Sequence, residues 1–71
     1  MVSKRGTSLT GRERQIAKAV AAGRTNGQIA NQIGITERTV KNCLTVIFEK
    51  LGVTNRVQLA LKVVKGGEAG D

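Results

Sequence analysis

Seventy-one residues allow one small domain with a limited core, and so short a chain gains stability from a partner. Twelve Lys and Arg against five Asp and Glu leave a net charge of +7, an attraction for polyanions such as nucleic acid or an acidic membrane surface. With no His and a single cysteine, Cys43, an internal disulfide is excluded and a zinc site is disfavoured; no stretch reads as a signal peptide or bilayer span.

Residues 1–8 (MVSKRGTS) are polar and carry two adjacent bases, which predicts a flexible basic arm. A first helix is expected over residues 11–22. Thr10 and Glu13 have capping-box spacing, and Ile16, Ala17, Ala19 and Val20 form one apolar stripe. Gly23 ends this helix. Thr25 and Gln28 repeat the capping box, opening a second helix over residues 26–33 with Ile29, Ala30 and Ile33 on one face. Gly34 then offers a positive φ for a tight turn, Ile35 returns to the core, and Thr36 can cap a third helix over residues 37–51. On that helix Val40, Cys43, Leu44, Ile47, Phe48 and Leu51 share the inward side, while Lys41, Asn42, Thr45, Val46 and Glu49 face outward. Gly52 closes it. Asn55 and Gln58 make a further capping box before a fourth helix over residues 56–64, and residues 66–71 (GGEAGD) read as a flexible tail. The expected fold is an all-α four-helix bundle, with one domain at residues 9–65.

The stretch NGQIANQIGITERTVKNCLT, residues 26–45, has the spacing of a helix-turn-helix. Small Ala30 lets two helices cross closely, Gly34 lies at the turn, and the second helix is offered to a DNA groove. This moves the weight of the basic charge from membrane to double-stranded DNA. An enzyme is hard to defend: there is no His, no pair of carboxylates in a plausible cleft and no nucleotide-binding glycine loop.

Residues 9–61 as a whole resemble the LuxR/FixJ-type, or GerE-like, helix-turn-helix domain. The resemblance rests on LTxRER at Leu9 to Arg14, the break at Gly23, TNxxIA at Thr25 to Ala30, ITxxTVKN at Ile35 to Asn42, and IFxKLGVxNRxQ at Ile47 to Gln58. It implies a four-helix DNA-binding domain of a bacterial transcription regulator that binds as a homodimer, usually through its fourth helix. Such domains commonly follow a receiver or sensing domain. This chain resembles either the short stand-alone members or an excised fragment; the initial Met and short arm favour the former slightly. The chain departs from the family at Gly11, where Pro is common, at Ala17 and Ala19, where larger apolar residues are common, at Cys43, often His, and at Leu59, usually small. A cytoplasmic, nucleoid-associated protein is the expectation, without cofactor, metal or membrane partner.

On the reading helix, Lys41 suits guanine O6 and N7, Asn42 can pair with adenine N6 and N7, and Thr45 and Val46 can meet a thymine methyl. The resemblance places base contacts at Arg38, Lys41, Asn42 and Thr45. Phosphate candidates are Thr25 and Asn26 at the amino end of helix two, together with Thr36 and Thr39; Lys50 and Arg56 join them by charge and by resemblance. Each has a plainer reading. Arg38 and Lys41 can pair with Glu37, Asn42, Thr45 and Val46 can be idle surface, the three threonines can be caps, and Lys50 can be solvated. Cys43 reads as a small buried apolar residue rather than a redox sensor.

Six of the nine residues in helix four are apolar, more than one face can bury. Val57, Leu61 and Val64 recur at helical spacing and suit a self-complementary dimer strip. The alternative is that these three pack on helices one and three, leaving Leu59 and Val63 exposed. A sequence-specific regulator is thus weighed against a protein-interaction module. The latter would dock on RNA polymerase or another regulator and bind DNA only loosely.

Overall fold

A computed structural model describes residues 9–66, and every regular element among them is a helix. They are α1 (Gly11–Ala21), α2 (Asn26–Ile33), α3 (Glu37–Leu51) and α4 (Arg56–Gly66). The expected basic arm at residues 1–8, and the expected tail beyond Gly66, lie outside the described residues.

The helix starts follow the capping chemistry. Thr10 Oγ1 accepts from Glu13 N (3.2 Å) while Glu13 Oε1 accepts from Thr10 N (2.9 Å). Thr25 and Gln28 repeat this at 3.1 and 2.9 Å. Two orphan amides are satisfied in each case, so α1 begins cleanly even with Gly11 in its first turn. The third box differs from expectation. Asn55 Oδ1 does accept from Gln58 N (2.8 Å), but Gln58 Oε1 reaches Thr54, accepting from its N (2.9 Å) and its Oγ1 (3.1 Å). Thr54 presents two donors to that oxygen where Asn55 would present one.

All three turns between helices use one device. Gly23, Gly34 and Gly52 stand at φ 87°, 84° and 70°, where a side chain would be strained. In each, the next residue donates its amide back five positions: Arg24 N to Ala19 O (3.1 Å), Ile35 N to Ala30 O (3.0 Å) and Val53 N to Phe48 O (3.0 Å). Ile35 and Val53 are then set against the core, the apolar contact that accompanies such a helix end.

The core takes one or more side chains from every helix. Ile16, Ile29, Val40, Ile47 and Leu59 are fully buried, with Leu9, Ala17, Ala19, Val20, Ala30, Leu44 and Leu51 around them. Among the described residues no polar or charged side chain is buried. Cys43 and Phe48, expected inside, are half-buried at the flanks of this core, because the stripe through Val40, Leu44, Ile47 and Leu51 already fills its centre. Helix α1 is the hub: α4 packs chiefly on it and α3 also rests on it, while α2 packs mainly on α3. Leu59 is wholly buried, Ala60 and Val63 are half-buried, and Val57, Leu61 and Val64 are exposed. The sense of α4 is therefore the reverse of the alternative in which Leu59 and Val63 lie outside. It extends two residues beyond the expected end, with Lys65 in a last turn that favours positive charge.

Candidate nucleic-acid interface

An apolar stripe on one side of α3 leaves the other side to solvent. Arg38, Lys41, Asn42, Thr45, Val46 and Glu49 are all exposed. A helix so placed presents about two outward residues per turn along a rod narrow enough for a DNA major groove.

The close crossing of α2 and α3 brings their polar ends together. Asn26, Glu37, Arg38, Lys41 and Asn42 line one open hollow. Three of the four expected base contacts thus share a surface with one expected phosphate contact. Thr45 lies one turn further along α3, and its Oγ1 donates to Lys41 O (3.2 Å). Its hydroxyl proton is therefore spent within the helix, leaving its lone pairs and its methyl group outward.

The phosphate candidates divide by what already holds them. Thr25 Oγ1 caps α2 and Thr36 Oγ1 caps α3, accepting from Thr39 N (3.1 Å). Thr36 and Thr39 also share a hydrogen bond between their hydroxyls (3.0 Å). Arg56 is half-buried and grips the start of α2: Nη1 donates to Asn26 Oδ1 (2.6 Å) and Nη2 to Arg24 O (2.8 Å). With its oxygen held by a guanidinium, Asn26 keeps its amide NH₂ for a partner outside. A second hollow, lined by Val20, Gly23, Arg24, Thr25, Asn26 and Arg56, adjoins the first through Asn26.

Lys50 stands apart. It is nine residues beyond Lys41, about 13 Å along the helix at about 1.5 Å per residue. Its Nζ lies 2.8 Å from Glu13 Oε1 on α1. Burial pushes the Glu13 carboxyl upward, but the Lys50 hydrogen bond, the Thr10 amide and the Lys50 charge together outweigh it and hold it below its ordinary value. Sequence reasoning found Glu13 only as a cap, and Arg56 as a phosphate candidate by charge and by resemblance. Their partners stand 37 and 30 residues away, beyond any local spacing.

Among the described residues no cluster of His, Cys, Asp and Glu suits a metal ion, and no helix is long and apolar enough to cross a membrane. Cys43 carries a free thiol and is half-buried.

Residues 7–63 match the family of bacterial regulatory proteins of the luxR type. Among curated relatives, a probable transcriptional regulator, ycf29, of Guillardia theta is 46% identical over 52 residues, which are 73% of this chain and 25% of that protein. A probable transcriptional regulatory protein, SgaR, of Hyphomicrobium methylovorum is 53% identical over 49 residues, 69% of this chain and 23% of that protein. The transcriptional regulatory protein UhpA of Escherichia coli K12 is 39% identical over 66 residues, 93% of this chain and 34% of that protein. The chain thus spans about a quarter to a third of the length of these relatives. No solved structure matches it.

Proposed function

Since this chain belongs to the luxR family of bacterial regulatory proteins, we propose that it is a sequence-specific DNA-binding unit of transcription regulation that lays α3 in the major groove. The observation that carries this reading is the shared hollow. Arg38, Lys41 and Asn42 stand exposed beside Asn26 at the amino end of α2, over a core with no buried charge among the described residues. Arg38, Lys41, Asn42 and Thr45 are assigned to base edges. Lys41 takes the guanine acceptors, Asn42 pairs with adenine, and the Thr45 methyl meets thymine. Thr25, Asn26, Thr36 and Thr39 are assigned to phosphates on the flanking strand. Arg56 contributes there chiefly by orienting Asn26. Lys50, paired with Glu13, is assigned a lesser part.

Two copies are proposed to pair through Val57, Leu61 and Val64, which are 67%, 55% and 73% exposed on α4. Spacings of four and three residues place them on one helical face, the geometry a two-fold interface between like helices needs. Sedimentation of the protein free and on DNA tests this, and a monomer in both conditions excludes it.

Selection from a random DNA pool with the purified protein tests the main reading. An enriched motif is expected, with affinity falling steeply as salt rises because bound phosphates release counterions. Loss of site preference on Lys41→Ala, but not on Lys18→Ala in α1, identifies α3 as the reading helix. Equal loss in both refutes that assignment.

The exposed α4 strip also favours a second reading, in which the unit docks on another regulator or RNA polymerase and binds DNA loosely. A random pool that yields no motif selects this reading over the first.

A further inference from the structure

The hollow that gathers Arg38, Lys41 and Asn42 also contains an acid. Glu37 is the first residue of α3, exposed, and within the first turn that favours negative charge. Its carboxylate does not turn along α3 to Lys41, four residues on; it makes no ion pair with any described residue. It lies instead across the gap against α2. A methyl group added to Gly27 would come within 3.0 Å of Glu37 Oε2 and 3.6 Å of its Cδ. The missing side chain at Gly27 is thus what lets the carboxylate settle there, one residue past Asn26. A single negative charge therefore sits where the amino ends of two helices converge, the spot otherwise most attractive to a DNA phosphate.

We propose that Glu37 is a specificity-determining residue that acts by exclusion, keeping the DNA backbone off the amino end of α2 unless base contacts by Lys41 and Asn42 hold the duplex in register. This rests on the assignment of α3 as the reading helix. A phosphate approaching without those contacts meets a like charge that no ion pair with a described residue neutralises, although Arg38 and Lys41 line the same hollow. A specific complex offsets that repulsion through base-edge hydrogen bonds, whereas a non-specific one has nothing to set against it. Discrimination is raised by weakening the wrong complexes, the repulsive half of recognition.

The test compares Glu37→Gln with Glu49→Gln, using one duplex that carries the selected site and one unrelated duplex of equal length. Glu49 is exposed on the same helix, twelve residues on and about 18 Å away at about 1.5 Å per residue, well past the ~10 Å over which salt screens charge. Both variants change net charge equally. Glu37→Gln is expected to raise affinity for the unrelated duplex about threefold near 0.1 M salt, to steepen its salt dependence by about 0.9 in the log–log slope, equivalent to one more phosphate contact, and to alter the selected-site affinity much less. Glu49→Gln is expected to leave the ratio of the two affinities unchanged. Equal gains for both duplexes, or the same shift with Glu49→Gln, reduce the effect to bulk charge and overturn the proposal. Weaker binding to the selected site with no change on the unrelated duplex makes Glu37 a base reader, and overturns it as well. If the wild type shows no preference between the duplexes, it is the DNA-reading assignment that fails, a result distinct from all of these.

Discussion

Two lysines on α3 carry the same charge and have different surroundings. Lys41, at the amino-terminal half, is exposed and makes no ion pair with any described residue; it borders the hollow with Arg38, Asn42 and Asn26. Lys50, in the last turn, is half-buried and bonded to Glu13 on α1. One end of the helix is anchored to the hub of the fold and the other is offered to solvent. The lesson is that a basic residue on the proposed reading helix is not by that fact a ligand for DNA. What separates the two is whether the packing supplies a carboxylate first.

The sharpest way to break this comparison is to remove each charge in turn. Lys41→Ala is expected to cost about 1–3 kcal/mol of discrimination between the selected site and its single-base variants, with the melting temperature unchanged. Competition binding and calorimetry on the same sample measure both. Glu13→Ala is expected to destabilise the fold by about 1–2 kcal/mol, because it removes both the carboxylate half of the α1 capping box and the anchor of Lys50. Glu13→Gln keeps a side-chain oxygen for the Thr10 amide and removes only the ion pair, so it should cost about 0.5–1 kcal/mol in denaturant unfolding and leave the selected motif intact.

Acid sharpens the contrast further. The folded-state pKa of Glu13 is lowered from 4.5, so its contribution to stability is fully present above that value and is lost as pH falls through the lower folded value. The stability difference between wild type and Glu13→Gln should be constant near neutrality and shrink below about pH 4.5. A gap that does not shrink at all as pH falls below 4.5 would show that the carboxylate is not the source. The smallest effect is expected at Thr45→Val, under about 0.5 kcal/mol in both stability and site preference, since the hydroxyl proton already serves Lys41 O and a γ-methyl is retained. A loss tenfold or more in site preference would instead make the hydroxyl a base contact.

The comparison also marks what a one-dimensional reading could see. Helix starts at Thr10, Thr25 and Thr36, the turns at Gly34 and Gly52, and the buried stripe of α3 were all legible, because each follows from residues three to five apart. The outward set Lys41, Asn42, Thr45, Val46 and Glu49 was legible for the same reason, whereas Arg38 was named only through the resemblance. The pairs Glu13–Lys50 and Arg56–Asn26 were not, since periodicity says which face of a helix is polar and not which neighbour meets it. Gln58 was misassigned by one residue, because Asn55 and Thr54 compete for its oxygen at a distance that spacing cannot resolve. Among the alternatives for α4, the sequence supplied the surplus of apolar residues, and the packing on α1 chose Leu59 for the inside.

Arg56 holds Asn26 and the Arg24 carbonyl at once, and so welds the first turn of α4 to the first turn of α2. In the proposed pair joined along α4, that weld would link the joint to the end of α2 beside the proposed reading helix. The operator should then behave as a phased object. Inserting half a helical repeat, about 5 base pairs, between its two halves should abolish simultaneous occupancy, whereas inserting a full repeat of about 10 base pairs should restore only the rotational facing and not the distance.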